Sequence, residues 1–564
     1  MTKYTILALG AVASFGLSAP VTGQDFGGGS GGNFGDEVTG GESGDGSSEQ
    51  GRANRVQVSP YIEVSQIAVA ELSPGDDVVT YTQVAAGVDA SVTGRNNGGS
   101  VSLRYERNIG YGDEALDSDT VTGIARGYAS VVPGTLTVDA GGLAARTRVD
   151  GNGGATFNAL NGDNTETRTY SAYAGPTLST EAGPVNIDAN YRVGYTRIEQ
   201  PDAIVTAPGA AAIDVFDDSI NQSAALRLET PAGRALPVGV GVEAGWDQED
   251  VSNLDQRVRD AYVRADVTVP VTRSLAVVGG IGYEDVEVSS RDAVLDVNGN
   301  PVTGDDGRLV TDTSQPRQLA YDVSGLIWDV GVAWRPSART SLEATIGRRY
   351  DSTTYYGNFA WAPNSRSSVN VNAYDTVTGF GSQLNNALAN LPTQFAANRN
   401  PLTGDFNGCV NGQDGAACLG GAFSSIRSSV FRSRGVGASY QTTVAGLTAG
   451  VALGYDNRRF IAGAGTALAA ANGVTDESYY GTFFLQGEID RNSSFSTNAY
   501  ASLIESDFDL AGDVLAVGAS AAYRRNLTSR LSARAAVAVD RIDSDAATED
   551  FTTASALLGL RYDF

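Results

Sequence analysis

The chain ends in Phe551-Thr-Thr-Ala-Ser-Ala-Leu-Leu-Gly-Leu-Arg-Tyr-Asp-Phe564, and this stretch decides the fold class. Apolar residues recur on one of its faces at Ala554, Ala556, Leu558, Leu560, Tyr562 and Phe564. Small and polar residues, including Ser555 and Arg561, occupy the other face. Because side chains alternate between the two faces of a β-strand, this period of two predicts a strand with one apolar and one polar face.

The same alternation runs back through the chain to Arg55. In residues 185–196, for example, Val, Ile, Ala and Tyr alternate with Asn, Asp, Arg and Thr, and residues 238–246 carry a similar apolar stripe. The polar faces include charged side chains, which the dry core of a β-sandwich accepts only when they are paired. No stretch after the N-terminus has the roughly 18 consecutive apolar residues of a membrane helix, so strands would have to cross any membrane.

The number of segments and the lengths of their connections predict one closed barrel. We count roughly 22 strands, within a range of about 18 to 24, between residues 55 and 564. Short connections follow every second strand, and longer ones separate the remaining pairs. Short periplasmic turns and long extracellular loops are typical of outer-membrane barrels. The predicted fold is therefore all-β, a single large antiparallel transmembrane β-barrel in the outer membrane of a Gram-negative bacterium.

The N-terminus has the features of an export signal followed by a linker. Residues 1–23 have a short positive head, an apolar run and small residues near the end, as in a secretory signal peptide. Residues 24–54 are rich in Gly, Ser, Asp and Glu and are predicted to be disordered. The barrel is predicted to occupy residues 55–564.

The last strand also resembles an assembly signal. A final strand that ends in aromatic residues, here Tyr562 and Phe564, resembles the signal that outer-membrane barrels present to the barrel-assembly machinery. The expected partners are this machinery, outer-membrane lipid and lipopolysaccharide.

Charge excludes some functions and predicts an acidic mouth. With 39 Lys and Arg against 65 Asp and Glu, the net charge of -26 argues against a nucleic-acid partner.

Four of the long connections hold 16 acidic residues and no Arg, whereas many arginines lie beside short turns. An acidic mouth predicts a preference for cations, and its carboxylates could instead bind divalent cations that bridge to lipopolysaccharide. The predicted mouth residues are Glu71, Asp76, Asp77, Asp113, Glu114, Asp117, Asp119, Asp543, Asp545, Glu549 and Asp550.

The residue types that are missing argue against an enzyme. The chain has no His, and its only Lys is Lys3, so Ser-His-Asp triads, His-based metal sites and Schiff-base lysines are excluded. We assign no catalytic, cofactor-binding or metal-binding residue. We also do not expect an energy-coupled gated transporter. In that class a plug domain of over about 100 residues precedes the barrel, whereas here the sequence ahead of the predicted barrel reads as a linker.

The longest connection, residues 376–425, contains both cysteines. Export places Cys409 and Cys418 in an oxidising compartment, so we predict a disulfide that shapes a surface loop. The connection could fold into the lumen as a constriction or project outward as a binding surface.

The first hairpins resemble a known family. Tyr61-Ile62-Glu63 and Leu103-Arg104-Tyr105-Glu106 are similar to the opening strands of the β-barrel porin type 2 family of Gram-negative outer-membrane proteins. The resemblance implies an outer-membrane barrel, associated in some members with polysaccharide export, and it implies no catalytic residues. Some proteins of this appearance are catalogued as preprotein-translocase subunits, but nothing in these residues resembles that small single-helix family.

We therefore expect a passive, porin-like channel for small solutes or ions. The alternative, from a different class, is a structural or adhesive barrel without transport activity.

Overall fold

A computed structural model describes most of the chain after the predicted linker. The described residues are 55–111, 118–149, 155–156, 166–199, 216–305, 308–412, 415–423, 426–507, 512–545 and 550–564. The predicted signal peptide (1–23) and linker (24–54) lie outside them.

The described residues form 26 strands, one α-helix and three single-turn 3-10 helices. The strands are β1 (Arg55–Ser73), β2 (Val78–Thr93), β3 (Asn97–Tyr111), β4 (Ser118–Val132), β5 (Leu136–Val149), β6 (Ala155–Thr156), β7 (Glu166–Ala182), β8 (Val185–Glu199), β9 (Asp218–Thr230), β10 (Gly239–Val251), β11 (Gln256–Pro270), β12 (Leu275–Ser290), β13 (Gln318–Ser337), β14 (Thr340–Arg349), β15 (Ser352–Asn364), β16 (Ser367–Thr378), β17 (Phe395–Arg399), β18 (Phe406–Gly412), β19 (Gly415–Cys418), β20 (Val430–Val444), β21 (Leu447–Ile461), β22 (Thr475–Asp490), β23 (Ser493–Ser506), β24 (Val514–Asn526), β25 (Leu531–Ser544) and β26 (Phe551–Asp563). The helix α1 spans Phe380–Ala389, and the 3-10 turns are Asn253–Asp255, Gly420–Phe423 and Ala469–Ala471. No helix in this part of the chain is long and apolar enough to cross a bilayer.

Twenty-two of the strands close into one antiparallel barrel. Each barrel strand pairs with its neighbour in the chain, and β26 pairs with β1, with Tyr61 opposite Asp563. Of the 26 strands, the two-residue β6 extends the outer end of β5, and β17 to β19 form a separate sheet, which leaves 22 in the wall. The predicted all-β barrel is confirmed.

Residues alternate between lipid and lumen as the sequence predicts. In β1, Ile62 and Val64 are 46% and 51% exposed, whereas Glu63 between them is 5% exposed. Outward aromatic side chains lie within a few residues of the strand ends at the short turns, as Trp334, Trp361, Tyr440 and Tyr523 do. An apolar outer band with aromatic residues at its edge is the lipid-facing surface of a Gram-negative outer-membrane barrel, and this protein is one.

The connections sort by length between the two rims. The ten connections at the periplasmic rim contain two to eight residues each, and both barrel ends, Arg55 and Phe564, lie at this rim. At the other rim, five of the eleven connections contain 13 or more residues. Others are short: β1 extends through Ser73, so the connection that holds Asp76 and Asp77 contains only residues 74–77, and the connections 252–255 and 350–351 have four and two residues. Residues whose composition predicts a loop thus belong to the outer ends of strands.

The closed hydrogen-bonded ladder predicts resistance to SDS. Because the barrel has no free strand edge, unfolding must break a complete ladder of hydrogen bonds at once. We expect an unheated sample to migrate faster on SDS gels than a boiled one. Identical migration of both samples would contradict the closed barrel.

Candidate functional site

The described residues between β16 and β20, which are 379–412, 415–423 and 426–429, lie inside the barrel. We call residues 379–429 the lumenal segment. Its side chains Phe380, Leu384 and Leu388 are fully buried and belong to one apolar cluster with Tyr173 and Ile198 of the wall. A barrel of this strand number encloses a lumen too wide for wall side chains to fill alone. Of the two placements left open by the sequence, the structure has the inward one.

The sequence of the lumenal segment explains why it enters the lumen. Between 379 and 429 the only charged residues are Arg399, Asp405, Asp414 and Arg427, and the rest is rich in Ala, Gly, Ser, Asn and Gln. Its first part places apolar residues at intervals of four, which gives α1 a continuous apolar face. Burying such a segment leaves few charges to be desolvated.

The start of α1 is held by a carboxylate of the barrel wall. Glu249 on β10 accepts hydrogen bonds from the backbone N–H groups of Gly379 (3.1 Å) and Gly381 (3.0 Å) and from Ser219 Oγ (2.9 Å). The carboxylate thus satisfies helix N–H groups that no side chain of the segment caps. A Cβ atom at position 381 would lie 2.0 Å from Ser219 Oγ, so the close approach requires glycine.

The middle of α1 is fixed to three more strands through one amide. Asn385 Nδ2 donates to Thr196 Oγ1 and Asn221 Oδ1, at 2.9 Å each. Asn385 Oδ1 accepts from Ser171 Oγ at 3.1 Å. Buried polar groups that are paired in this way specify one position of the helix on the wall.

The predicted cysteine pair lies within the lumenal segment. Cys409 on β18 faces Cys418 on β19, and the two are joined by a disulfide. Phe406, Val410 and Leu419 around it belong to the same apolar cluster as α1. The disulfide therefore closes a hairpin whose described residues pack inside the lumen, whereas we expected them in a surface loop.

The lumenal segment reaches the periplasmic rim. Gln394 Nε2 donates to Val92 O at 2.8 Å, and its Oε1 accepts from Thr93 Oγ1 at 3.0 Å. Next to it, the N–H of Phe395 donates to Ser100 Oγ at 3.0 Å. These wall residues flank the short turn between β2 and β3, so the segment crosses the height of the barrel.

A charged cluster fixes the second half of the segment. Arg146 on β5 donates from Nε (2.9 Å) and Nη2 (2.6 Å) to Asp405 Oδ2, and its Nη2 also contacts Glu106 Oε1 at 3.0 Å. Arg104 continues the cluster by pairing with Glu106 and Glu63. All five side chains are at most 5% exposed.

The opposite wall pairs its charges within itself. Arg264 donates to both carboxylate oxygens of Asp329, at 2.6 and 2.7 Å, and Arg349 pairs with Asp260 and Glu284. On β21, Arg458 instead reaches the segment and donates to Gln383 Oε1 at 2.7 Å. The segment is therefore anchored on both sides of the lumen.

A second layer covers part of the outer mouth. In the loop between β12 and β13, Val294, Val302 and Val310 are eight residues apart, and each backbone N–H donates to the carbonyl of another of the three, at 2.8 to 3.0 Å. Next to these three hydrogen-bonded residues, Ala293 and Leu309 pack against the loop 462–474. Backbone N–H groups of Asn300 and Asn298 donate to Asp296 and lower the pKa of its carboxyl. The eight-residue spacing was a signal that sequence reasoning missed.

Arginines at strand ends pair with two residues of the predicted acidic mouth. Asp119 lies 3.6 Å from Arg107, and Asp543 lies 2.7 Å from Arg541, so arginines on strand ends neutralise part of it. The remaining described members are Glu71, which accepts from Gly75 N–H, Asp550, which accepts from Ser544 N–H, and Asp76, Asp77 and Asp545, which are exposed. Asp113, Glu114, Asp117 and Glu549 lie outside the described residues.

The predicted assembly residues lie on the lipid face of the closing strand. The rings of Tyr562 and Phe564 contact edge to face at 5.1 Å, and Phe564 is 65% exposed. The backbone N–H of Phe564 donates to Pro60 O on β1 at 3.1 Å, which places the last residue at the seam of the barrel.

Comparisons with known proteins found similarity only among solved structures. Neither a protein-family model nor a curated protein sequence matches the chain. The FrpB iron transporter of Neisseria meningitidis in its apoprotein form is 11% identical, with 90% of this chain and 81% of that chain covered and a TM-score of 0.41. The ferric-catecholate import receptor Fiu of E. coli K12 is 10% identical, with coverages of 89% and 81% and a TM-score of 0.44. The siderophore receptor PiuA of Acinetobacter baumannii is 9% identical, with coverages of 89% and 82% and a TM-score of 0.41.

Similarities of this size assign neither a ligand nor a mechanism to this chain. The resemblance of the first hairpins to the β-barrel porin type 2 family is confirmed only in its general implication, an outer-membrane β-barrel. No family match supports membership of that family.

Proposed function

We propose that this outer-membrane barrel is a gated channel for small solutes, closed at rest by its lumenal segment. The observation that supports this proposal most is the anchoring of one internal segment to both sides of the lumen, through Glu249 and Arg146 on one side and Arg458 on the other. Opening then requires the segment to move, and the barrel wall can stay intact.

The distribution of space in the lumen agrees with a gate. A cavity of about 800 Å³ opens at the periplasmic rim between the turns of β13–β14 and β15–β16, lined in part by Arg339, Arg366 and Asn370. Wall residues toward the outer ends of the strands, such as Asp260, Glu284 and Arg349, are buried. Open space is therefore found at the periplasmic rim, while these wall residues nearer the outer rim are covered.

This proposal changes the expectation from sequence in one respect. A permanently open passive pore does not fit a lumen filled by a fixed segment. The exclusion of gated transporters also loses its basis, because residues within the barrel sequence itself occupy the lumen. No specific observation on the described part of the lumen favours a purely structural or adhesive barrel.

Loosening one anchor of the segment should raise solute flux. In Glu249→Gln the neutral amide is a weaker acceptor for the α1 N–H groups, so we expect flux of a neutral sugar into proteoliposomes to rise about 10-fold over the slow flux of the unchanged protein. Asp312→Asn, in an exposed turn of an outer loop, is the matched control and should leave flux unchanged. Equal flux in all three proteins, at the rate of an open porin, would refute a closed resting state.

A further inference from the structure

We infer that Asp405 is an internal stand-in for a carboxylate-bearing solute, and that Arg146 with its neighbouring wall arginines forms the binding site for that solute. A solute carboxylate that binds Arg146 would displace Asp405 and release this half of the lumenal segment. The inference rests on the proposed gate and names the class of molecule that opens it.

The contact between Arg146 and Asp405 has the geometry of ligand recognition. Two nitrogens of one guanidinium, Nε and Nη2, point at the carboxylate at 2.9 and 2.6 Å. The turn that presents Asp405 is built for this approach: Gly404 has a φ of +78°, and a Cβ atom there would lie 2.4 Å from Arg104 Nε. The chain thus brings a single carboxylate, on a tight turn, against an arginine surface of the wall.

Asp405 is the one member of this charged cluster that belongs to the lumenal segment, whereas Arg104, Arg146, Glu63 and Glu106 are on the wall. Release of the segment therefore takes one carboxylate away from Arg146.

Asp405 does not use all the hydrogen-bonding capacity of its carboxylate. Its Oδ1 is buried and has no hydrogen-bond partner among the described residues, because both bonds from Arg146 go to Oδ2. Arg146 Nη2 is also shared with Glu106, a second negative charge. A solute carboxylate that places both oxygens on the guanidinium would make the better pair, since bidentate arginine–carboxylate pairs are the strong ones.

The site lies near the outer mouth. Arg146 is three residues from the end of β5, and Glu106 is five residues from the end of β3, both at the rim of the long connections. Arg146 therefore lies nearer the rim of the long connections than the contacts at Gln394 do.

Single-channel recording of the full chain with succinate as the probe tests the inference. At constant ionic strength, replacing chloride by succinate should raise the open fraction of the unchanged protein, about 10-fold at saturation. Asp405→Asn should raise the open fraction in chloride by a similar factor and abolish the response to succinate. Arg146→Gln should also abolish the response, and its heat-dependent gel shift shows whether the barrel is folded.

Glu249→Gln is the matched control, because it loosens the segment but leaves Arg146 and Asp405 in place. It should still respond to succinate. A response that persists in both Asp405→Asn and Arg146→Gln would overturn the inference, because succinate would then act elsewhere. The inference would also be overturned if the unchanged protein did not respond to succinate while a variant without the lumenal segment conducted, since Asp405 would then be only a structural ion pair. If the variant without the segment fails to conduct as well, the gate itself is refuted, and the inference falls with it.

Discussion

Replacement of residues 379–429 by an Asn-Gly turn is expected to convert the closed barrel into a wide, permanently open pore. Strands β16 and β20 are adjacent and antiparallel, with Thr378 opposite Phe431, so a three-residue hairpin loop of Asn, Gly and Val430 can join them without changing the wall. The wall would keep its ladder of hydrogen bonds and lose only the material in its lumen. A lumen of 22 strands without a filling segment should conduct at least about 10 times more current than the unchanged protein.

Planar-bilayer recording measures this difference, with the heat-dependent gel shift as the control for folding. The unchanged protein should show rare openings, and the variant should show a constant large conductance. If both proteins conducted equally, the lumenal segment would not obstruct the pore. If neither conducted, the outer loops or the wall itself would close the barrel.

Removal of Phe564 is expected to cause a large loss of this protein from the outer membrane. Phe564 ends the lipid-facing stripe of β26, and its N–H bonds to Pro60 O where the barrel closes. A chain that cannot present this end should stall before closure and be degraded. We expect the amount in the outer membrane to fall roughly 10-fold, because an unclosed sheet exposes unpaired strand edges to lipid.

Immunoblots of separated membrane fractions measure this loss. Phe564→Asp should behave like the deletion, and Phe564→Tyr should assemble normally because it keeps an aromatic ring at the lipid interface. Val297→Asp is a further control, since Val297 is fully exposed in an outer loop. Normal outer-membrane levels of the truncated protein would show that the end of β26 is not needed for assembly.

The barrel wall could be predicted from sequence because its signal is local. Each strand carries its own alternation of apolar and polar residues, and the strand predicted at 551–564 lies at Phe551–Asp563 in the structure. The boundaries that were missed, such as the end of β1 at Ser73, are those where polar residues continue a strand beyond the membrane. Composition there favours a loop, whereas pairing with β26 extends the strand to Ser73.

The lumenal segment could not be placed from sequence because its position depends on distant residues. Asn385 is held by Thr196 and Asn221, which lie on two strands far earlier in the chain. Two local signals were available: the apolar spacing of α1, and the scarcity of charge compared with the acidic loops. Sequence reasoning also did not count Arg107 and Arg541 with the acidic mouth, because they lie on strands, although they pair with Asp119 and Asp543.

A cross-link between Thr93→Cys and Gln394→Cys tests the central claim, that the lumenal segment crosses the barrel to its periplasmic rim. The two native side chains are in hydrogen-bond contact at 3.0 Å, and the native cysteines are already joined to each other. A short bis-thiol reagent should link the two positions in most molecules in intact outer membranes, as peptide mass spectrometry will show, and the control pair Thr93→Cys with Asp312→Cys should remain unlinked. Absence of the first link, together with labelling of position 394 by an impermeant reagent added outside the cell, would contradict the account.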